Sequence, residues 1–128
     1  MRETILTKNA PAPIGPYSQG VRFGNTYYFS GQIALDPQTG AFVSETDVKI
    51  QTHQVMKNIE ALLNASGLTF DNVVKTSIFL KSMNDFPVVN EEYAKWFKSG
   101  VYPARETVEV SRLPKDALVE ISVICAKE

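Results

Sequence analysis

The sequence predicts an α+β domain of two layers, with a mixed β-sheet and two helices packed on one of its faces. The chain has 128 residues and ordinary hydrophobic and charged fractions, which fits a single domain spanning residues 1–128. Short segments rich in branched and aromatic residues surround two longer segments of helical periodicity, in the order β, β, β, α, β, α, β, β. This order favours a sheet covered by helices on one side.

The part of the chain before the first helix is rich in turns. "TILT" predicts a short strand, and "NAPAPIGPYSQG" is dense in proline and glycine, as is typical of an ordered loop. "VRFGNTYYFSG" predicts a hairpin, because Gly24 and Asn25 stand where a tight turn needs a positive φ. The first helix then runs from about Thr46 to Ser66, with Ser44 or Thr46 as its N-cap and Gly67 as its stop.

A strand and a second helix follow. "DNVVKTSIFLKS" predicts a strand with apolar residues on both faces. In "MNDFPVVNEEYAKWFKSG", Asn84 or Asp85 can cap a helix that tolerates Pro87 in its first turn and ends at Gly100. The apolar stripe of this helix is formed by Val89, Tyr93 and either Trp96 or Phe97.

The last two strands, "RETVEVSRL" and "ALVEISVICA", are expected to pair antiparallel. A register that joins their apolar faces sets Val108 opposite Val119. Thr107 then lies opposite Glu120, with Arg105 as a diagonal neighbour at roughly 7–8 Å. This register predicts a polar cluster on the sheet face away from the helices.

The same open face carries apolar residues. Leu118, Ile124, Phe79 and Val73 would leave a sizeable apolar patch exposed in a single chain. A closed homo-oligomer that covers this face is the simplest solution, and it would place the polar cluster at a subunit boundary.

The cluster admits two interpretations. The planar fork of Arg105 suits a carboxylate, and a half-buried Glu120 can orient or deprotonate a water, so the pair could serve a small anionic substrate with a hydrolysable centre. Alternatively, Arg105 and Glu120 form an ion pair that only stabilises the sheet, and the residue pattern by itself favours this interpretation.

Composition argues against several other classes of protein. A net charge of -1 gives no general attraction to nucleic acids or membranes, and one histidine with one cysteine cannot form a typical zinc site. His53 lies on the polar face of the first helix, and Cys125 on an apolar strand face as a core thiol, so no catalytic set of nucleophile and histidine is indicated. The absence of a signal-peptide core or a membrane-spanning apolar run, together with the single cysteine, predicts a cytoplasmic protein.

Six blocks resemble those of the RidA (YjgF) family in order and over nearly the whole chain. They are "APAPIGPYSQG", "SGQIALDPQTG", "QTHQVMKNIEALL", "VVKTSIFLKSMNDFPVVNEEYAKWF", "PARETVEVSRLP" and "ALVEISVICA". The resemblance implies a chorismate-mutase-like fold and a homotrimer with clefts at its subunit interfaces. It also implies the hydrolysis of 2-imino acids, such as 2-iminopropanoate and 2-iminobutanoate, to 2-oxo acids and ammonia without a cofactor or metal.

The resemblance also assigns roles to residues of this chain. Arg105 would bind the substrate carboxylate and Glu120 would position the attacking water. The cleft would be lined by Tyr17, Ser30, Gly31 and Asn90. Many members carry a cysteine where this chain has Thr107, so a thiol nucleophile is excluded here, although the hydroxyl of Thr107 can still bind the ligand.

Two other functions remain open at this point. Some relatives are named endoribonuclease or translation inhibitor, but the charge and the lack of a basic, aromatic stripe argue against tight RNA binding. A regulator that binds 2-oxo acids without turnover would need Arg105 but not Glu120.

Overall fold

The strands and helices follow one another in the order that the sequence predicts. The computed structural model describes all residues from 1 to 128. The strands are β1 (Glu3–Ile5), β2 (Gly20–Phe23), β3 (Thr26–Phe29), β4 (Val73–Leu80), β5 (Ala104–Glu109) and β6 (Val119–Ala126), and the helices are α1 (Val48–Ala65) and α2 (Phe86–Ala94). The α+β fold class is confirmed.

All six strands belong to one mixed sheet with the order β1-β2-β3-β6-β4-β5. β6 pairs antiparallel with both β3 and β4, whereas β5 pairs parallel with β4. β2 and β3 form the predicted hairpin, in which Gly24 takes a φ of 62°. The helices cover one face of the sheet.

The predicted pairing of the last two strands is wrong. Strand β4 lies between β5 and β6, so Thr107 is opposite Ile78, and Glu120 is opposite Phe79 rather than Thr107. The physical reason is the connection through α2, since a strand that follows a crossover helix returns parallel to the strand before it. The short link between β5 and β6 therefore carries the chain past β4 instead of forming a hairpin.

Helix α1 begins at Val48, two residues after the predicted start at about Thr46, and neither Ser44 nor Thr46 is its N-cap. Asp47 is the N-cap, and its Oδ1 accepts hydrogen bonds from the backbone N–H groups of Lys49 at 2.9 Å and Ile50 at 3.1 Å. Gly67, which follows the C-cap Ser66, takes a φ of 70°, as expected for a helix stop.

Helix α2 is shorter than predicted. It begins at Phe86, contains Pro87 in its first turn and ends at Ala94, so Trp96 and Phe97 lie in the turns beyond it. Its N-cap makes no side-chain hydrogen bond, and the helix has only nine residues. Its position therefore depends on packing, because so short a helix is marginal by itself.

The core lies between the helices and the sheet. Val73 belongs to this core and not to the open face, because the β4–β6 register shifts between Val73 and Lys75 and leaves Val74 half exposed. Half-exposed Tyr28 and Val108 are apolar residues of the open face. None of the helices is long and apolar enough to cross a bilayer.

Candidate active site

Arg105 projects from β5 toward α2, on the helix-covered side of the sheet. Its Nη1 donates a hydrogen bond to Asn90 Oδ1 at 2.8 Å. The guanidinium carbon lies 5.2 Å from the ring centroid of Tyr93 and 5.5 Å from that of Phe86. The amide and the two aromatic rings therefore fix the direction of the guanidinium.

The guanidinium has no acidic partner in the chain. Four ion pairs are present, and none of them includes Arg105. Glu120 cannot be its acidic partner. Strand β4 lies between β5 and β6, and the registers put Arg105 on the helix-covered face of the sheet and Glu120 on the open face. The proposed sheet-stabilising ion pair is thus wrong, and the fork of Arg105 is free for an external carboxylate.

Thr107 lies two residues beyond Arg105 on the same face of β5. Its Oγ1 is buried and has no hydrogen-bond partner, which is costly unless a ligand supplies one. A cavity of about 500 Å³ opens beside Arg105, bounded on other sides by Asn90, Tyr93 and Tyr102. We call Asn90, Tyr93, Arg105 and Thr107 the Arg105 half-site.

A second cavity, of about 430 Å³, lies on the other side of the sheet and is lined by Glu120 with Tyr17, Ser30 and Gly31. Ser30 Oγ donates a 2.6 Å hydrogen bond to the carbonyl of Ser18, which holds the strand end against the loop. We call Tyr17, Ser30, Gly31 and Glu120 the Glu120 half-site.

Gly31 allows the backbone to approach the Glu120 carboxylate closely. A Cβ at this position would lie 2.7 Å from Glu120 Oε2, which no side chain tolerates without movement. The carboxylate makes no hydrogen bond or ion pair within the chain, and burial raises the pKa of Glu120 above its usual value. Such a carboxylate is suited to accept a proton from a bound water.

A buried amide organises the loop that carries Tyr17. The side chain of Gln19 is 1% exposed and accepts a hydrogen bond from the Thr7 N–H at 2.7 Å. Its Nε2 contacts the carbonyls of Thr7, Ala10 and Pro11 at 3.0, 3.3 and 2.9 Å. The sequence analysis missed Gln19, because only the tertiary structure brings its backbone partners together.

The single histidine and the single cysteine of the chain line neither of the two cavities. His53 is exposed as predicted, but its Nδ1 lies 2.9 Å from Oε1 of the buried Glu92, a residue that the sequence analysis also missed. Cys125 is buried as predicted, and burial raises the pKa of its thiol to about 12. No group of three or more metal-ligating side chains occurs.

The chain therefore brings the predicted site residues together in two sets rather than one. Asn90 and Arg105 line the first cavity, and Thr107 lies further along the same face of β5, whereas Tyr17, Ser30, Gly31 and Glu120 line the second cavity. With β4 between them, strands β5 and β6 are roughly 10 Å apart, and the side chains of Arg105 and Glu120 point in opposite directions.

Comparison with known proteins identifies the family. The profile of the family described as Endoribonuclease L-PSP matches residues 7–127. A RutC family protein of Pyrococcus horikoshii is 52% identical over 128 residues and covers 100% of both chains. A Salmonella typhimurium protein named 2-iminobutanoate/2-iminopropanoate deaminase is 48% identical over 129 residues, with 99% of each chain covered.

Solved structures agree with these relatives. A Rid family protein from Yersinia pestis superposes with a TM-score of 0.96 at 51% identity, covering 99% of this chain and 100% of that chain. Escherichia coli TdcF with bound serine superposes with a TM-score of 0.93 at 39% identity, covering 98% of this chain and 99% of that chain. The chain belongs to the Endoribonuclease L-PSP family, also called RidA or YjgF, and has its chorismate-mutase-like fold.

Proposed function

We propose that the protein hydrolyses small reactive 2-imino acids, with their enamine tautomers, to 2-oxo acids and ammonia. The observation that carries this proposal is the guanidinium of Arg105, which is fixed by Asn90, Tyr93 and Phe86 and has no acid to neutralise it. An arginine fixed in this way is suited to bind a carboxylate through two parallel hydrogen bonds. The 2-aminoacrylate/2-iminopropanoate pair and 2-iminobutanoate have such a carboxylate beside the carbon that water attacks.

The relatives support a small substrate of this kind. The Salmonella typhimurium protein is named a deaminase of 2-iminobutanoate and 2-iminopropanoate, and it matches almost the full chain. The Escherichia coli neighbour was solved with serine, a small molecule whose carboxylate and nitrogen are bonded to the same carbon. Serine and the two imino acids are all small and carry a carboxylate, which the Arg105 half-site would accept.

In the proposed reaction Arg105 binds the substrate carboxylate and Glu120 accepts a proton from the attacking water. The water oxygen bonds to the imine carbon, and the nitrogen is protonated to give a carbinolamine. Collapse of this intermediate forms the carbonyl group, breaks the C–N bond and releases ammonia. The balance is one imino acid and one water giving one 2-oxo acid and one ammonia, so no redox partner is required.

The two half-sites must then come from different copies of the chain. We infer a homotrimer in which the Arg105 half-site of each copy faces the Glu120 half-site of the next. The apolar residues of the open face, including Tyr28 and Val108, favour such covering. A contact between unlike surfaces closes into a ring when the rotation is that of a closed symmetry.

The first test is imine hydrolysis. 2-Iminobutanoate is generated with an amino-acid oxidase, and the imine that survives is trapped with semicarbazide. Wild type should suppress trapping, whereas Arg105→Ala should lose about 100-fold in kcat/KM, as expected for a lost charged hydrogen-bond pair. Arg22→Ala is the matched control, because Arg22 also stacks on a tyrosine but lines neither cavity.

The variant Glu120→Gln separates catalysis from ligand sensing. It should bind 2-oxobutanoate but lose about 100-fold in kcat. Because burial raises the pKa of Glu120 and the ionised form is the active one, wild-type kcat should fall as pH drops through that raised pKa. A Glu120→Gln variant with normal kcat would show that Glu120 is not the base.

If wild type leaves the trapped yield unchanged, hydrolysis is rejected, and binding of oxo acids and of RNA is measured instead.

A further inference from the structure

Glu92 is a buried acid that the proposed reaction does not use. It is 5% exposed and is the only charged residue of the buried set. Its Oε1 lies 2.9 Å from His53 Nδ1, and its Oε2 lies 2.9 Å from Lys95 Nζ, a charge contact without aligned hydrogen-bond geometry. Burial by itself would raise the pKa of Glu92, but the contacts with Lys95 and His53 outweigh it and hold the pKa below its usual value.

Because Glu92 is ionised, His53 is the donor of the hydrogen bond between the two side chains. A carboxylate can only accept hydrogen bonds, so His53 must carry a proton on Nδ1 and donate it to Glu92. His53 lies on α1 and Glu92 on α2, so this bond links the two helices. Losing the donor would leave a buried charge with Lys95 as its only partner, which is costly.

Another part of the α2 surface contacts Arg105. Phe86, Asn90 and Tyr93 follow one another at helical spacing and supply every contact that fixes the guanidinium. Because α2 has nine residues and no side-chain N-cap bond, its position follows from its packing and from the Glu92 link. A small shift of α2 would displace the amide and both rings together, and the planar fork of Arg105 would then be poorly aligned with a bound carboxylate.

We propose that His53 and Glu92 are positioning residues that act through α2 to hold Arg105 in the direction needed to bind a carboxylate. The inference rests on the proposed function for the identity of that ligand. Neither residue lines the cavity of either half-site. Because both would act through the side chain that binds the carboxylate, their loss should weaken substrate binding more than it slows the chemical step.

Two substitutions at His53 test the proposal. His53→Leu removes the donor, whereas His53→Asn keeps an N–H group at about the place of Nδ1, because both nitrogens are bonded to Cγ. His53→Leu should raise KM about 5- to 10-fold with kcat within about twofold, and His53→Asn should restore a KM near that of wild type. If KM is unchanged in His53→Leu while Tm falls, the link is only structural and the proposal is wrong.

A double-mutant cycle shows whether the effect passes through Arg105. In an Arg105→Lys background, which lacks the planar fork, His53→Leu should change kcat/KM less than it does in wild type. Equal changes in both backgrounds would overturn the proposal.

A third measurement does not depend on turnover. The side-chain Nε–H signal of Arg105 in ¹⁵N NMR should shift or broaden in His53→Leu and keep its wild-type position in His53→Asn. An unchanged signal in His53→Leu contradicts the positioning role, whatever the activity. If wild type fails to hydrolyse imines but the signal responds as expected, the proposed function is rejected and the positioning role stands.

Discussion

At the scale of residues, Gly31 leaves space that the carboxylate of Glu120 occupies. A Cβ at position 31 would lie 2.7 Å from Glu120 Oε2, and no positive φ requires glycine there. Space for the carboxylate, rather than backbone conformation, is therefore the reason for glycine at this position. Gly24 is the opposite case, since it has a φ of 62° and nothing within 4 Å of an added Cβ.

These two glycines yield a paired prediction. Gly31→Ala should displace the Glu120 carboxylate and lower kcat by about 10- to 100-fold with little change in stability. Gly24→Ala should lower the free energy of unfolding by about 1 kcal/mol through backbone strain and leave kcat unchanged. Thermal unfolding and the trapping assay on both variants measure the two effects. Normal kcat in Gly31→Ala would show that this close approach does not matter for the reaction.

At the scale of elements, local sequence patterns predict individual helices and strands better than they predict which strands pair. The spacing of Val55, Ile59 and Leu62 predicts α1, and all three are buried. The alternation along the last two strands allows them to pair as a hairpin, whereas the predicted order β, α, β around the second helix favours a parallel return beside β4. The sequence prediction followed the alternation, and the position of Arg105 relative to Glu120 is therefore wrong in it.

Polar contacts between residues far apart in the chain are also difficult to predict from the sequence. Glu92 stands in "NEEY" like a surface acid, and its burial follows from His53, which is 39 residues earlier in the chain. A signal was nevertheless present, because Glu92 follows Val89 by three residues and so falls on the apolar stripe of α2. An acid on such a stripe indicates a buried pair.

The N-cap of α1 gives a test at this scale. Asp47→Ala should destabilise the protein by about 1 kcal/mol, because the backbone N–H groups of Lys49 and Ile50 lose their acceptor. Thr46→Ala is the control, since the Thr46 side chain makes no capping bond, and it should stay within about 0.5 kcal/mol. Chemical denaturation of both variants compares the two losses. Equal losses would show that the cap is not at Asp47.

For the whole molecule, the decisive feature is that Arg105 and Glu120 face opposite sides of one sheet. A single folded chain therefore cannot direct both side chains at one small molecule. If the proposed ring is correct, each of its clefts takes Arg105 from one copy and Glu120 from the next.

Mixed assemblies test this arrangement. Arg105→Ala and Glu120→Gln chains, each nearly inactive alone, are unfolded together and refolded at equal concentrations. About a quarter of the clefts should then combine two unaltered half-sites, and activity should recover in that proportion. The double variant Arg105→Ala/Glu120→Gln refolded with Arg105→Ala is the control and should recover nothing. Absence of recovery in the first mixture, with trimers present, would mean that the half-sites do not combine across copies.

Because Arg105 and Glu120 lie on opposite faces of the sheet, the proposed activity would depend on the concentration of the protein. If the proposed ring forms, dilution that separates the copies would leave each chain with half-sites that no longer face one another. Specific activity would then depend on protein concentration, and ligands that bridge two copies would oppose dissociation. The amount of protein present, and not only its sequence, would determine how much of it works.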